Sequence, residues 1–194
     1  MPFQQQQPPA SWSLWLWWVT TSVASGLLGI TVLRLATGVT DWLLFGLVYG
    51  AAQAWCLRRC IPHRMGWIVA SIIGGAIGVL ANLWLLAFLP PTVPLFARNL
   101  LDGSIRGLSL GLAQWFILRL TLRQSGWWLP ASAIAMALAL PLAVQANQFW
   151  SSTISEQGDG IVAWGVFGLV YGSISGAALL ALFRAAATPP APSP

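Results

Sequence analysis

The sequence has no lysine, one histidine, two cysteines and four acids: Asp41, Asp102, Glu156 and Asp159. Each scarcity closes off a class of function. One imidazole and four carboxyls leave few candidates for general acid–base chemistry. There is no phosphate-binding Walker loop, no H-E-x-x-H and no Ser/His/Asp set. No enzyme is expected, and no catalytic residue is assigned. All nine basic residues are arginine, with no more than two in a row, so no nucleic-acid partner is expected. Cys56, Cys60 and His63 form C-x3-C-x2-H, but a fourth ligand is missing. They are a weak metal candidate, and no cofactor is expected. Only 7% of the residues are charged, against about 25% in a soluble domain. Water would not solvate such a surface, so the lipid bilayer is the expected solvent.

What the chain does have is apolar length. Six runs, at 14–35, 42–60, 66–89, 100–120, 127–146 and 161–183, reach about the 20 residues a spanning helix needs. Open strands are excluded in lipid, because their edge groups would stay unpaired. The period-2 alternation of an outer-membrane barrel is also missing. Residues 1–9 lack the basic start and small-residue cleavage site of a secretory signal, so the first run is expected to remain. Segments 1–11 and 187–194 have nothing to bury and are expected to be disordered tails. Arg58, Arg59, Arg64, Arg119, Arg123 and Arg184 fall on one side of this arrangement. Arg34, Arg98, Arg106 and all four acids fall on the other. The positive-inside rule makes the first side cytoplasmic, with both termini there.

The dominant pattern is an internal repeat. Residues 46–58 (GLVYGAAQAWCLR) return as 107–119 (GLSLGLAQWFILR) and, more weakly, as 168–175 (GLVYGSIS), at a constant offset of 61. Trp18, Ser22, Gly26 and Gly29 match Trp67, Ser71, Gly75 and Gly78 at an offset of 49; Trp67, Ala70 and Ser71 match Trp128, Ala131 and Ser132 at 61. The unit is a helix hairpin used three times, at about 12–60, 66–120 and 127–184, inside one domain at 12–186. The expected fold is therefore an all-α membrane protein. Its six transmembrane helices form three tandem hairpins about a pseudo-threefold axis along the membrane normal.

Gly46, Gly50 and Gln53 lie on one helical line, as do Gly107, Gly111 and Gln114, and Gly168, Gly172 and Ser175. Glycines four apart let backbones approach, and the polar residue then meets a neighbour across the contact. The plain reading is interhelical glue; the functional one is a polar ring lining a pathway. Asn82 has no repeat mate and is a possible ligand contact. Pro141 is interior to the fifth run, where it removes a backbone bond, and is the hinge candidate. Asp41, Asp102 and Asp159 are read as helix caps, with Asp102 also able to pair with Arg106. Trp15, Trp17, Trp18, Trp67, Trp127 and Trp128 are expected at the cytoplasmic interface, and Trp42 and Trp150 at the outer one. Trp84 and Trp115 lie deeper, against core, lipid or a pigment. The loops around 89–99 and 147–160 depart most from the repeat.

The line G-x3-G-x2-Q-W-x-x-L-R, clearest at Gly107, Gly111, Gln114, Trp115, Leu118 and Arg119, resembles a group of uncharacterised polytopic membrane proteins of cyanobacteria and other bacteria. The first copy inserts Ala54 before Trp55, and the third keeps the glycines but loses the Gln, Trp and Arg. The resemblance implies a bacterial inner or thylakoid membrane and carries no activity. Three functions follow as expectations. The first is a non-enzymatic membrane scaffold, assembly factor or complex subunit, with the bilayer and other membrane proteins as partners. The second is a small transporter or channel with a polar site between the hairpins. The third is a pigment or lipid binder.

Overall fold

The computed structural model describes residues 11–33, 39–154 and 160–187. Among these the protein is all-helical: α1 (Trp12–Leu33), α2 (Val39–Cys56), α3 (Arg64–Leu86), α4 (Leu95–Leu118), α5 (Trp128–Thr153) and α6 (Ile161–Ala187). Single 3-10 turns at Leu57–Arg59 and Ser125–Trp127 link α2 to α3 and α4 to α5. Arg34, Glu156, Asp159, segment 1–10 and segment 188–194 lie outside the described residues, and so do the side chains of Asp41 and Trp42.

Every helix packs on its neighbours in sequence, and α6 returns onto α1, so the six close into a ring. Among the described residues three stretches, Arg64–Leu85, Ser125–Thr153 and Ile161–Ala187, are long and apolar enough to cross a membrane. α4 is more polar because its first three turns carry Arg98, Asn99, Asp102 and Arg106.

Two of the expected boundaries need correction. α4 starts at Leu95, because Pro94 sets the entry and its carbonyl accepts the Arg98 N–H at 3.0 Å. α5 continues through Asn147–Thr153, two turns past the apolar run. Residues 95–99 and 147–153 of the two expected outer loops are therefore helix. Backbone bonding continues where hydropathy stops. At 26 residues, α5 is about 39 Å long, against about 30 Å of bilayer hydrocarbon. The chain then returns through Gly160, whose φ of 89° suits only glycine. The Gly160 N–H donates to Asn147 Oδ1 at 3.0 Å, which ties the start of α6 to α5.

Polarity runs opposite to that of a water-soluble bundle. Ser22, Gln53, Ser71, Asn82, Gln114, Ser132 and Ser175 are buried. Val69, Ile73, Ile77, Leu80 and Trp84 share one outward face of α3, and Leu108, Leu112 and Phe116 one of α4.

Candidate functional site

The even helices present the same positions to the ring's centre, every fourth residue. From the end where α3 turns into α4 these are Phe45, Arg106 and Phe167; Tyr49, Leu110 and Tyr171; Gln53, Gln114 and Ser175; Leu57, in the 3-10 turn after α2, with Leu118 and Leu179; and Ile61 and Leu122, just past α2 and α4, with Phe183. Members of each set are 61 residues apart. Apart from Arg106, the first two sets belong to one apolar cluster, and the last two belong to another, with the amides between them. Phe45 and Phe167 are in edge contact at 6.4 Å, as are Tyr49 and Tyr171 at 5.7 Å.

The odd helices supply three tryptophans at the amide level. Trp18, Trp67 and Trp128 have no exposed surface, and their rings meet pairwise at 6.3, 6.1 and 5.9 Å. Each indole N–H donates to the polar residue of an even helix: Trp67 to Gln53 Oε1 at 3.2 Å, Trp128 to Gln114 Oε1 at 3.1 Å and Trp18 to Ser175 Oγ at 2.9 Å. An indole only donates, so it fixes which end of each amide faces it. Gln114 Nε2 is then free to donate to Gln53 Oε1 at 3.1 Å and to Ser71 Oγ at 3.0 Å. Placing these three tryptophans in an interfacial belt was wrong: they close the axis. Trp17 and Trp127, their neighbours in sequence, do face outward. The signal that finds the inward set is in the sequence, since Trp18, Trp67 and Trp128 obey the repeat offsets.

The glycine lines of the even helices lie against the next odd helix, not inside the hairpin. A Cβ on Gly107 would meet the Ser132 carbonyl at 2.5 Å; on Gly168, the Ser22 carbonyl at 2.6 Å; on Gly46, the Ser71 carbonyl at 3.2 Å. Gly50, Gly111 and Gly172 sit on the Cβ atoms of Ser71, Ser132 and Ser22 at 2.7, 2.8 and 2.8 Å. The close seams therefore join α2 to α3, α4 to α5 and α6 to α1.

On the side of the amides facing the α3–α4 turn lies a cavity of about 50 Å³. Its floor is Gln53, Gln114, Ser71 and Tyr49; its walls include Phe45, Leu110, Met136, Trp164 and Phe167, with Arg106 and Gly75 at its side. Arg106 is ion-paired to Asp102, four residues earlier on α4. Asp102 is thus two turns inside its helix and does not cap it. Five buried polar atoms cluster near this floor without a hydrogen bond of good geometry: Ser22 Oγ, Tyr49 Oη, Gln53 Nε2, Ser132 Oγ and Tyr171 Oη. The Tyr49 hydroxyl approaches Ser22, and the Tyr171 hydroxyl approaches Ser132 and Gln53.

The remaining candidates lie apart from this centre. Asn82 is buried in α3 with Oδ1 unpartnered. α5 is unbroken across Pro141, which is buried in its packing. Cys56 and Cys60 line a groove with Ser11, Leu14 and Trp17, whereas His63 lines another with Trp55 and Ile117. α2 passes at Cys56 into a 3-10 turn, so the two thiols stay on one side in the same groove, and His63 is the member of the set that lies apart. Among the described residues no three His, Cys, Asp or Glu side chains gather to hold a metal. Trp84 is exposed, while Trp115 is half-buried under Arg119, whose guanidinium is 5.2 Å from its ring. Arg58 covers Trp55 in the same way at 4.4 Å.

No protein-family model, no curated protein and no solved structure matches this chain.

Proposed function

We propose that this chain is a non-enzymatic, six-span integral membrane protein that acts as a scaffold, assembly factor or subunit of a membrane complex. Three hairpins around a pseudo-threefold axis make a rigid core, and the outward apolar faces are left for lipid or for other membrane proteins. The observation that carries this reading is the axis itself: three mutually packed tryptophans, backed by Leu57, Leu118 and Leu179, fill it at the amide level. A plugged axis suits a static body. The inside-out distribution of polarity supports the membrane setting. The arginine-rich ends of α2, α4 and α6 support a cytoplasmic placement of both termini in a bacterial inner or thylakoid membrane.

A second reading, a small transporter or channel, is favoured by the cavity that reaches Gln53 and Gln114. One double variant separates the two. Gln53→Leu with Gln114→Leu removes four hydrogen bonds and leaves two buried indole N–H groups without acceptors. If the amides are glue, stability in detergent falls by roughly 2–4 kcal/mol. The wild-type protein in liposomes then passes no more solute than empty vesicles. Solute flux by the wild type, lost in a double variant of unchanged stability, overturns the scaffold reading.

Topology is tested separately. In a cysteine-free background, Ser11→Cys and Gln124→Cys are expected to react with an impermeant maleimide from the cytoplasmic side only, and Thr92→Cys from the opposite side only. Labelling of all three from one side rejects the six-span arrangement.

A further inference from the structure

In two of the odd helices the residue before the axial tryptophan is itself a tryptophan: Trp17 precedes Trp18, and Trp127 precedes Trp128. Both of these rings stand outward. In α3 the residue before Trp67 is Gly66, and a groove of about 730 Å³ opens there between α2, α3 and the end of α4. The nearest atom to a Cβ added at Gly66 would be the flexible tip of Ile117, at 3.0 Å, so the backbone does not forbid a larger residue.

The lining of this groove is divided. Ala51, Trp55, Ile68 and Ile117 make most of it apolar, and His63 and Arg64, at the turn into α3, make its polar end. Arg58 adds a second guanidinium, centred 4.4 Å over the Trp55 ring and donating to the Trp55 carbonyl at 2.9 Å. That bond uses one of its five N–H donors. Asp102, the acid whose side chain is described, is paired with Arg106 about 24 Å back along α4 from Leu118. No described carboxylate therefore neutralises this end.

An apolar slot with a cationic end fits an amphiphile with an anionic head. Guanidinium groups bind phosphate oxygens through paired N–H donors, and basic pockets between helices hold the heads of anionic lipids. An apolar helix of another protein would fill the slot and leave Arg58 and Arg64 without a counter-charge.

We propose that this groove binds one anionic phospholipid, whose phosphate meets Arg58 and Arg64 and whose acyl chain lies along the slot that Gly66 leaves open. The inference rests on the six-span membrane reading and adds a lipid partner to it.

Native mass spectrometry of the detergent-purified chain, titrated with phosphatidylglycerol or phosphatidylcholine, reads the bound lipid directly. One phosphatidylglycerol is expected to bind about tenfold more tightly than phosphatidylcholine. Arg64→Gln is expected to weaken it about fivefold. Arg184→Gln removes the same charge from α6, across the ring from α3, and is expected to leave the affinity unchanged. Gly66→Trp, which restores the repeat and fills the slot, is expected to abolish the tight site with no change of charge. Arg64 is exposed, so its variant decides the matter where Gly66→Trp does not fold. Equal affinity for the two lipids overturns the site, and so does an equal loss from Arg64→Gln and Arg184→Gln. A folded Gly66→Trp protein that binds phosphatidylglycerol as tightly as the native one overturns it as well. A chain that leaves cell membranes without detergent overturns the six-span reading and this site with it; a chain that needs detergent yet shows no lipid preference overturns the site alone.

Discussion

Trp128→Ala is expected to destabilise the folded ring by about 3 kcal/mol, while Trp127→Ala, one residue away, changes it by less than about 0.5 kcal/mol. The two side chains differ only in direction. Trp128 is fully buried against Trp18 and Trp67, and its N–H satisfies Gln114; Trp127 is 73% exposed. Truncating a buried tryptophan typically costs about 3–5 kcal/mol. If the helices span a membrane, as proposed above, the water-transfer share of that cost is absent, because an unassembled helix would also hold the ring in hydrocarbon. What remains is the hole left between two large rings and an amide oxygen stripped of its donor. Unfolding midpoints of the two variants in the same detergent make the comparison. Equal losses would mean that the inward tryptophan level does not hold the helices together.

Gly168→Ala is the second large effect, and it carries its own control three residues upstream. At Gly168 an added methyl would meet the Ser22 carbonyl oxygen and the Val23 Cα, both at 2.6 Å. These atoms are backbone, so only a separation of α6 from α1 makes room. At Gly165 the same methyl finds only the end of the Leu27 side chain, at 4.0 Å. Alanine is better than glycine inside a helix by about 1 kcal/mol. Gly165→Ala is therefore expected to be neutral or stabilising. Gly168→Ala should lose about 1–3 kcal/mol net of that gain, from overpacking. The same measurement serves, and a Gly168→Ala protein as stable as the wild type would mean that the α6–α1 seam is looser than these distances.

Helix positions were largely legible in the sequence, because a run of apolar residues reports where side chains avoid water. Helix ends were not. Asn147–Thr153 reads as a loop from its polarity, yet its backbone still finds i−4 partners beyond the apolar zone. The polar first half of α4 misleads in the same way, and it moved Asp102 from an expected cap to a mid-helix pair with Arg106. At the centre, the repeat picked out Gln53, Gln114 and Ser175 because they keep their offset. It contained Trp18, Trp67 and Trp128 as well, but the general tendency of tryptophan to sit at interfaces concealed them. Tyr49 and Tyr171 share the 61-residue frame, being two steps apart, and went unread because the middle copy has Leu110. The cavity itself was beyond sequence reasoning. It lies between Leu110 and Gly75, where an added Cβ would meet nothing within 4 Å, and the two come together only once α3 and α4 are side by side.

The seam between α6 and α1 sets a schedule for synthesis. Ser22 and Trp18 leave the ribosome about 150 residues before Gly168, Gly172 and Ser175, which cover them. At about 5–20 residues per second, the first helix waits on the order of ten seconds for its closest neighbour. Through that interval the nascent assembly is an open crescent with a serine and an indole N–H on its free edge. Until α6 arrives, that edge is open to any other newly made helix with a matching small-residue face.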